Sequence, residues 1–291
     1  MEIKEIQAKV LLASVKQPDL HFGLKYNMNL YNGCMHRCIY CDSRSECYGI
    51  DGFDREILVK VNAIDLLRDE LSRKRFKGVI GLGSMNDPFM PIEKEINLAG
   101  RALAVIAEFG FAVHIITKSD LILKDLETLR AISRVYASIS FTVTTADDDL
   151  AAKVEPLAPR SSARFAAMRV LADHGIQTGV TLMPVLPFIE DTEENITAIV
   201  EKAVANGATY ILLGTGMTLR DRQRAYYYRQ LDHLFPGLRQ KYERAYGERY
   251  FCEVPYAARL HRAFEAACAQ HGIATRFPVY EPQATQQLSL F

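Results

Sequence analysis

The feature that most constrains this chain is a repeated unit: a short apolar run followed by a stretch with helical spacing. Residues 24–31, 78–83, 112–118, 135–143, 177–183 and 209–213 read as six strands. The runs are continuous rather than alternating, which marks parallel strands covered on both faces. Residues 63–75, 93–109, 121–134, 161–174 and 193–205 carry helical periodicity. Gly110, Gly175 and Gly207 stand where helix C-caps belong. Alternation of this kind predicts an α/β fold with right-handed crossovers. Six units fall short of a full eight-fold barrel. A partial (β/α)6 barrel and a doubly wound sheet both satisfy the pattern.

The second constraint is a cluster of thiols. Of six cysteines, Cys34, Cys38 and Cys41 fall within the eight residues Cys34-Met-His-Arg-Cys38-Ile-Tyr-Cys41, directly after the first strand. The first residues, Met1-Glu2-Ile3-Lys4-Glu5, lack the order of a signal peptide, and no apolar run nears the roughly 20 residues of a membrane span. A cytoplasmic protein is expected, in which disulfides are a poor account of clustered cysteines. Structural zinc takes four ligands in paired knuckles, and no second pair exists, because Cys252 and Cys268 are isolated. Three thiolates on one loop suit three irons of a 4Fe-4S cluster, with the fourth iron open to a ligand. Cys47 reads as a small buried residue and His36 as a surface residue.

This loop, with the aromatic Tyr40 before its third cysteine, resembles the signature of the radical S-adenosylmethionine (radical SAM) superfamily. The resemblance implies that S-adenosylmethionine chelates the open iron and is cleaved reductively to a 5′-deoxyadenosyl radical. An electron donor such as flavodoxin or ferredoxin is then implied as a partner. It also selects the partial barrel over the doubly wound sheet. In such enzymes the second strand's end holds the cofactor ammonium, a place taken here by Ser84, Asn86 and Asp87 of Gly81-Leu-Gly-Ser-Met-Asn-Asp-Pro88. Lys118 and Ser140 are expected to meet the cofactor carboxylate. Glu155 is expected either on ribose hydroxyls or in an ion pair with Arg164.

Gly33-Cys34, Tyr40-Cys41, the Asn-Asp-Pro segment and Thr117-Lys118 together resemble the spore photoproduct lyase-like branch, over about residues 20–220. That branch's namesake reverses a thymine–thymine adduct in DNA, and a cysteine near the second strand's end returns the hydrogen. Gly83 and Ser84 occupy that stretch here. The implied activity is hydrogen abstraction from a damaged or modified nucleobase in DNA, without the thiol donor. An RNA, protein or small-molecule substrate is the nearer alternative. A non-enzymatic iron–sulfur or zinc module is the more distant one.

Three parts are expected: a barrel over 1–217, a helical appendage over 218–280 and a tail over 281–291. The whole chain balances 35 Lys and Arg against 35 Asp and Glu, which excludes a protein that coats DNA by bulk charge. Neutrality is an average, however. Residues 218–250 hold eight Lys and Arg, four Asp and Glu and six tyrosines. Arg220, Arg222, Arg224 and Arg229, with Tyr226 and Tyr227, therefore stand as candidate nucleic-acid contacts, against the plainer reading of a packed helical cap. The closing Gln287-Leu-Ser-Leu-Phe291 resembles the motif by which bacterial repair proteins bind the sliding clamp. Gln287 would make polar contacts, while Leu288, Leu290 and Phe291 would fill an apolar pocket.

Overall fold

The structure, a computed structural model, describes residues 1–16, 19, 21–53 and 55–281. The first strands are β1 (Glu2–Ile6), β2 (Leu12–Ser14), β3 (Leu24–Met28), β4 (Tyr31–Asn32) and β5 (Glu56–Lys60). Next come α1 (Ala63–Ser72), β6 (Val79–Leu82), α2 (Glu93–Ile96), α3 (Leu98–Phe109), β7 (Ala112–Thr117), α4 (Leu126–Ser133) and β8 (Ala137–Thr142). Then follow α5 (Asp148–Val154), α6 (Ser161–Asp173), β9 (Gln177–Val185), α7 (Glu193–Ala205) and β10 (Tyr210–Thr215). The last elements are β11 (Met217–Thr218), α8 (Asp221–Leu234), α9 (Leu238–Tyr246), β12 (Phe251–Cys252) and α10 (Ala257–His271).

The main sheet has the order β10-β9-β8-β7-β6-β3-β2. Its six strands from β3 to β10 are mutually parallel, and only the edge strand β2 runs antiparallel. This is the partial barrel that the strand count and the resemblance predict. The large core lies between the sheet and its helices and includes Leu67, Leu103, Ile106, Ile139, Phe141, Leu171 and Ile199. Its continuity explains why the strands read as unbroken apolar runs. No helix of the described residues is long and apolar enough to cross a membrane.

Some local departures have plain causes. The predicted helix 93–109 is interrupted at Asn97, whose left-handed backbone separates α2 from α3. The predicted strand 24–31 is two elements, because β4 leaves the main sheet and joins β1 and β5 in a separate three-stranded sheet. The strands β1, β2 and β5 carry no repeated helix partner and were not legible as part of the α/β pattern. The segment 218–280 divides its packing. α8 and α9 form a second core with Ile39 and Tyr40 of the cysteine loop, centred on Tyr227 and Tyr242. By contrast, Leu260, Phe264 and Cys268 of α10 enter the main core.

Candidate active site

At the C-terminal ends of β6 to β10, where α/β barrels collect their chemistry, a cavity of about 470 Å³ opens beside the cysteine loop. Cys34, Cys38 and Cys41 all line it, and none is in a disulfide. Burial pushes the Cys34 thiol up to about 12, helped by the nearby Asp87 carboxylate and Cys41, and it raises Cys38 as well. Sulfurs this poorly solvated favour the thiolate only when a metal supplies positive charge, so loading must release protons. A single zinc about 2.3 Å from each sulfur would draw the three together. Among the described residues no three His, Cys, Asp or Glu side chains are placed to hold one metal ion. Three thiols on a common cavity wall fit a cluster that gives each sulfur its own iron.

The second strand's end is a tight turn. A Cβ on Gly83 would lie 2.0 Å from the Ile116 carbonyl oxygen, and its φ of +94° suits glycine. This brings β6 close to β7 and aims the following residues into the cavity. Ser84, Asn86 and Asp87 all line it. Ser84 exchanges hydrogen bonds with the Asn27 amide, and the Asn86 amide donates to the Tyr31 carbonyl at 2.7 Å. Asp87 accepts from the Thr117 hydroxyl at 2.7 Å and the Lys118 amide at 2.6 Å, and it faces the His36 ring at 3.0 Å. Burial works against its charge, but His36, the Lys118 amide and the Thr117 hydroxyl outweigh that and hold its carboxyl at about 2.

His36 is therefore not at the surface, contrary to expectation; its ring is 1% exposed between Asp87 and the Leu157 carbonyl. Cys47 departs in the other direction. It is exposed on the one-turn helix Glu46–Tyr48, whose residues do not line the cavity.

Lys118 lines the cavity, with its ammonium 3.7 Å from Glu155 and 5.8 Å from the Tyr40 ring. Burial opposes its charge, while Cys38 and Glu155 more than offset this and raise its pKa. Glu155 lies behind these groups and does not line the cavity. It accepts from the Tyr40 hydroxyl and pairs with Arg164, which also donates to the Thr142 and Pro159 carbonyls. Of the two expectations for Glu155, the ion pair is the one observed. The fully buried Arg164 needs a counter-charge, and Glu155 supplies it.

Ser140 is a correction. It faces the barrel interior one layer below the mouth, hydrogen-bonded to His114 at 2.8 Å and the Tyr210 hydroxyl at 2.6 Å. Phe22 and Phe277 pack on the same His114 and close off this lower layer. Thr142, two residues on, is the β8 residue that reaches the cavity.

The arginines of the appendage are held by the protein. Arg220 pairs with Asp42, next to Cys41. Arg222 donates to the Arg44 and Ile50 carbonyls and pairs with Asp51. Arg224 donates to the Leu219 and Arg249 carbonyls. Tyr227 is buried on Tyr242, and Tyr226 lies under the Arg44 guanidinium. Arg229 alone of this group is exposed, with its guanidinium 5.8 Å from the Tyr226 ring. The cationic helix start thus clasps the cysteine loop. Gln223 adds a bond to the Tyr40 carbonyl at 3.0 Å, and Asp221 accepts from Ser45 at 2.7 Å.

The far wall was not singled out from sequence. It is made by Met183, Pro184, Gly214, Thr215, Gly216 and Met217, with Phe251 and Thr218 beside them. The available signal was Gly214-Thr-Gly216 at the end of the sixth strand, which also reads as an ordinary turn. Gln287, Leu288, Leu290 and Phe291 lie outside the described residues.

Comparison with known proteins agrees with this geometry. Residues 28–199 match the family described as the Radical SAM superfamily. The chain belongs to the radical SAM superfamily. An uncharacterized protein of Mycobacterium tuberculosis is 28% identical over 86% of this chain and 75% of its own length. One of Methanocaldococcus jannaschii is 31% identical over 66% of this chain and 71% of its own. A radical SAM Nalpha-GlyT isomerase of Pseudomonas phage M6 is 26% identical over 63% of this chain and 38% of its own. Spore photoproduct lyase shares the fold. Its structure with dinucleoside spore photoproduct has a TM-score of 0.69 at 16% identity, covering 94% of this chain and 82% of that one. A substituted form with bound AdoMet and the same dinucleoside gives a TM-score of 0.70 at 15% identity, covering 94% and 81%. As a radical SAM enzyme, this protein uses a 4Fe-4S cluster and S-adenosylmethionine and needs an electron donor.

Proposed function

We propose that this enzyme acts in the cytoplasm on a damaged or modified nucleobase in DNA. The observation that carries the reading is the division of the cavity. One end presents the three cysteines, Asn86, Asp87 and Lys118; the other presents no ionisable side chain from residues 183–184, 214–218 and 251. In this reading Cys34, Cys38 and Cys41 hold the cluster. Asn86 and Asp87 offer acceptors to the ammonium of S-adenosylmethionine, and Lys118 offers a cation to its carboxylate. When bound, the cofactor pair supplies a carbon radical that removes a hydrogen atom from the substrate. The uncharged wall keeps water from the reacting end and suits a neutral, planar group. The reading is supported by the shared fold of spore photoproduct lyase, whose structure holds a dinucleoside spore photoproduct.

The hydrogen-return step differs from the lyase pattern. Among the described residues the cavity wall holds no cysteine besides the three of the loop, and the Ser84 O–H bond is too strong to donate readily. The C-terminal 287–291 motif supports DNA as the site of action through the sliding clamp, and flavodoxin or ferredoxin is the proposed electron source.

The deciding experiment uses perdeuterated DNA, ultraviolet-damaged or oxidised, with the reconstituted enzyme and dithionite under anaerobic conditions. Deuterium in the recovered 5′-deoxyadenosine is the expected result. Deuterium transfer only from labelled RNA or labelled protein would replace the reading. Binding of purified sliding clamp to the full chain, lost on deleting residues 287–291, checks the recruitment step.

A further inference from the structure

Phe251 is half exposed, at 47%, and yet lines the reaction cavity. A singly exposed apolar ring is ordinary on a protein surface; what sets Phe251 apart from the exposed Phe76 and Tyr256 is that it lines the cavity. Its position is built. Strand β12 pairs antiparallel with β11, setting Cys252 against Met217 and Phe251 against Thr218. The turn before β11 needs Gly216, whose φ is +95° and whose Cβ would lie 2.4 Å from the Cys252 carbonyl oxygen. The same Cβ would come within 3.0 Å of the Phe251 ring, so the ring leans over bare backbone. Gly214, also in the lining, lets the Met183 side chain approach, since a Cβ there would lie 2.8 Å from the Met183 Cβ. Tyr250, 53% exposed and just outside the cavity lining, is tied to it through Arg220. The Arg220 guanidinium lies 5.0 Å from its ring and 5.5 Å from the Tyr48 ring, and it pairs with Asp42 of the cavity lining.

We infer that Phe251, with Tyr250 beside it, is the platform on which the enzyme stacks an unpaired DNA base at the cavity mouth. The inference rests on the nucleobase reading above and gives it a residue. An aromatic face accepts any base, whereas the hydroxyls of Thr215 and Thr218 and the exposed glycine backbone can read a base edge. A base inside a duplex cannot reach the cysteine-lined end, so the substrate nucleotide must leave its stack or be single-stranded. Arg220 and Arg222 are taken up by the segment that follows the cysteines and Arg224 by the Leu219 and Arg249 carbonyls, which leaves Arg229 as the exposed cation of the 220–229 candidates and points to 250–251.

The test is fluorescence anisotropy of the iron-loaded full chain with two 5′-fluorescein probes: a twelve-residue oligothymidylate and an abasic strand of the same length. Wild type should prefer the base-bearing strand by about tenfold. Phe251→Ala should remove most of that preference and Phe251→Tyr should keep it, with abasic affinity unchanged in both. Tyr250→Ala should fall between them. Tyr256, 78% exposed and outside the cavity lining, serves as the control for general aromatic stickiness. Iron and sulfide content shows that each variant is loaded. If wild type prefers thymidylate and Phe251→Ala does so equally, or Tyr256→Ala matches the Phe251→Ala loss, the platform is overturned while the DNA reading stands. If wild type binds neither strand, the DNA reading itself fails and the platform with it.

Discussion

At the β6–β7 end of the cavity, each buried charge meets a counter-charge or a set of donors: Asp87 with His36 and Thr117, and Glu155 with Arg164, Lys118 and Tyr40. At the β9–β10 end the same cavity is walled by glycine, threonine, methionine, Pro184 and one open ring. Both ends crown the same parallel sheet, so the fold does not dictate the difference. A group with fixed charges, held the same way at every turnover, requires paired and desolvated partners. A neutral group that must enter and leave is better met by flat, uncharged surface. The comparison predicts that substitutions at the first end will damage loading and stability, and that those at the second will damage binding.

The largest expected effect is at the thiols. Changing Cys34, Cys38 and Cys41 to alanine should abolish iron uptake and reductive cleavage of S-adenosylmethionine, read by iron analysis and 5′-deoxyadenosine formation. Iron retained at wild-type content would break the assignment of that end. Next in size is the Glu155–Arg164 pair, with both side chains 1% exposed or less. Removing one partner leaves a buried charge uncompensated, at a cost of about 3–5 kcal/mol. Glu155→Ala and Arg164→Ala should each lower the denaturation midpoint strongly. Arg164→Ala should also loosen the Glu155–Tyr40 contact beside Cys41.

Asp87 gives a pH-dependent prediction. Its folded pKa of about 2 lies below the ordinary 3.8. The stabilisation is therefore present above the unfolded value and lost as pH falls through the folded one. The difference corresponds to about 2 kcal/mol at neutral pH. Urea denaturation should show wild type more stable than Asp87→Asn at pH 6, with the gap closing between about pH 4 and pH 2. A gap independent of pH would mean that the carboxylate charge plays no part in holding His36, Thr117 and Lys118 together.

How much of this could be read beforehand also divides by region. The six parallel strands were legible because each is covered on both faces and so writes an uninterrupted apolar run. The cysteine loop was legible because its three thiols, which line one cavity, are adjacent in sequence. The strand-end residues Ser84, Asn86, Asp87 and Lys118 came from the family resemblance together with their place at strand ends, and all four line the cavity. What failed required knowing which way one side chain turns. Ser140 and Thr142 share a face of β8, and only depth in the barrel separates the plug from the mouth. Nothing in the spacing around His36 shows that its partner is Asp87, which arrives from the end of another strand. Arg220 and Arg222 read as a free cationic patch because their acceptors, Asp42, Asp51 and the Arg44 carbonyl, lie far back in the chain. The β11–β12 pair is too short to register as strands at all.

The smallest predicted effects come from those arginines and separate the two regions most finely. Arg220 and Asp42 are partly exposed, at 20% and 33% of their side chains, so solvent screens the pair. Arg220→Ala should cost no more than about 1 kcal/mol in stability. The residue nevertheless bridges the two ends of the cavity, since it holds Asp42 beside Cys41 and lies against the Tyr250 ring. Arg229, exposed and free of that bridge, should change stability by less than about 0.5 kcal/mol when replaced by alanine. If DNA meets the protein through cations at the start of α8, both substitutions should weaken oligothymidylate and abasic strands alike and flatten the salt dependence of binding. If those cations serve the cysteine loop, Arg229→Ala should leave both affinities unchanged. Arg220→Ala should then reduce the preference for the base-bearing strand through Tyr250, with the slope against salt unaltered. A lower salt slope in Arg229→Ala would return the 220–229 segment to the nucleic-acid interface and assign the charged surface, rather than the open ring at Phe251, the first contact with substrate.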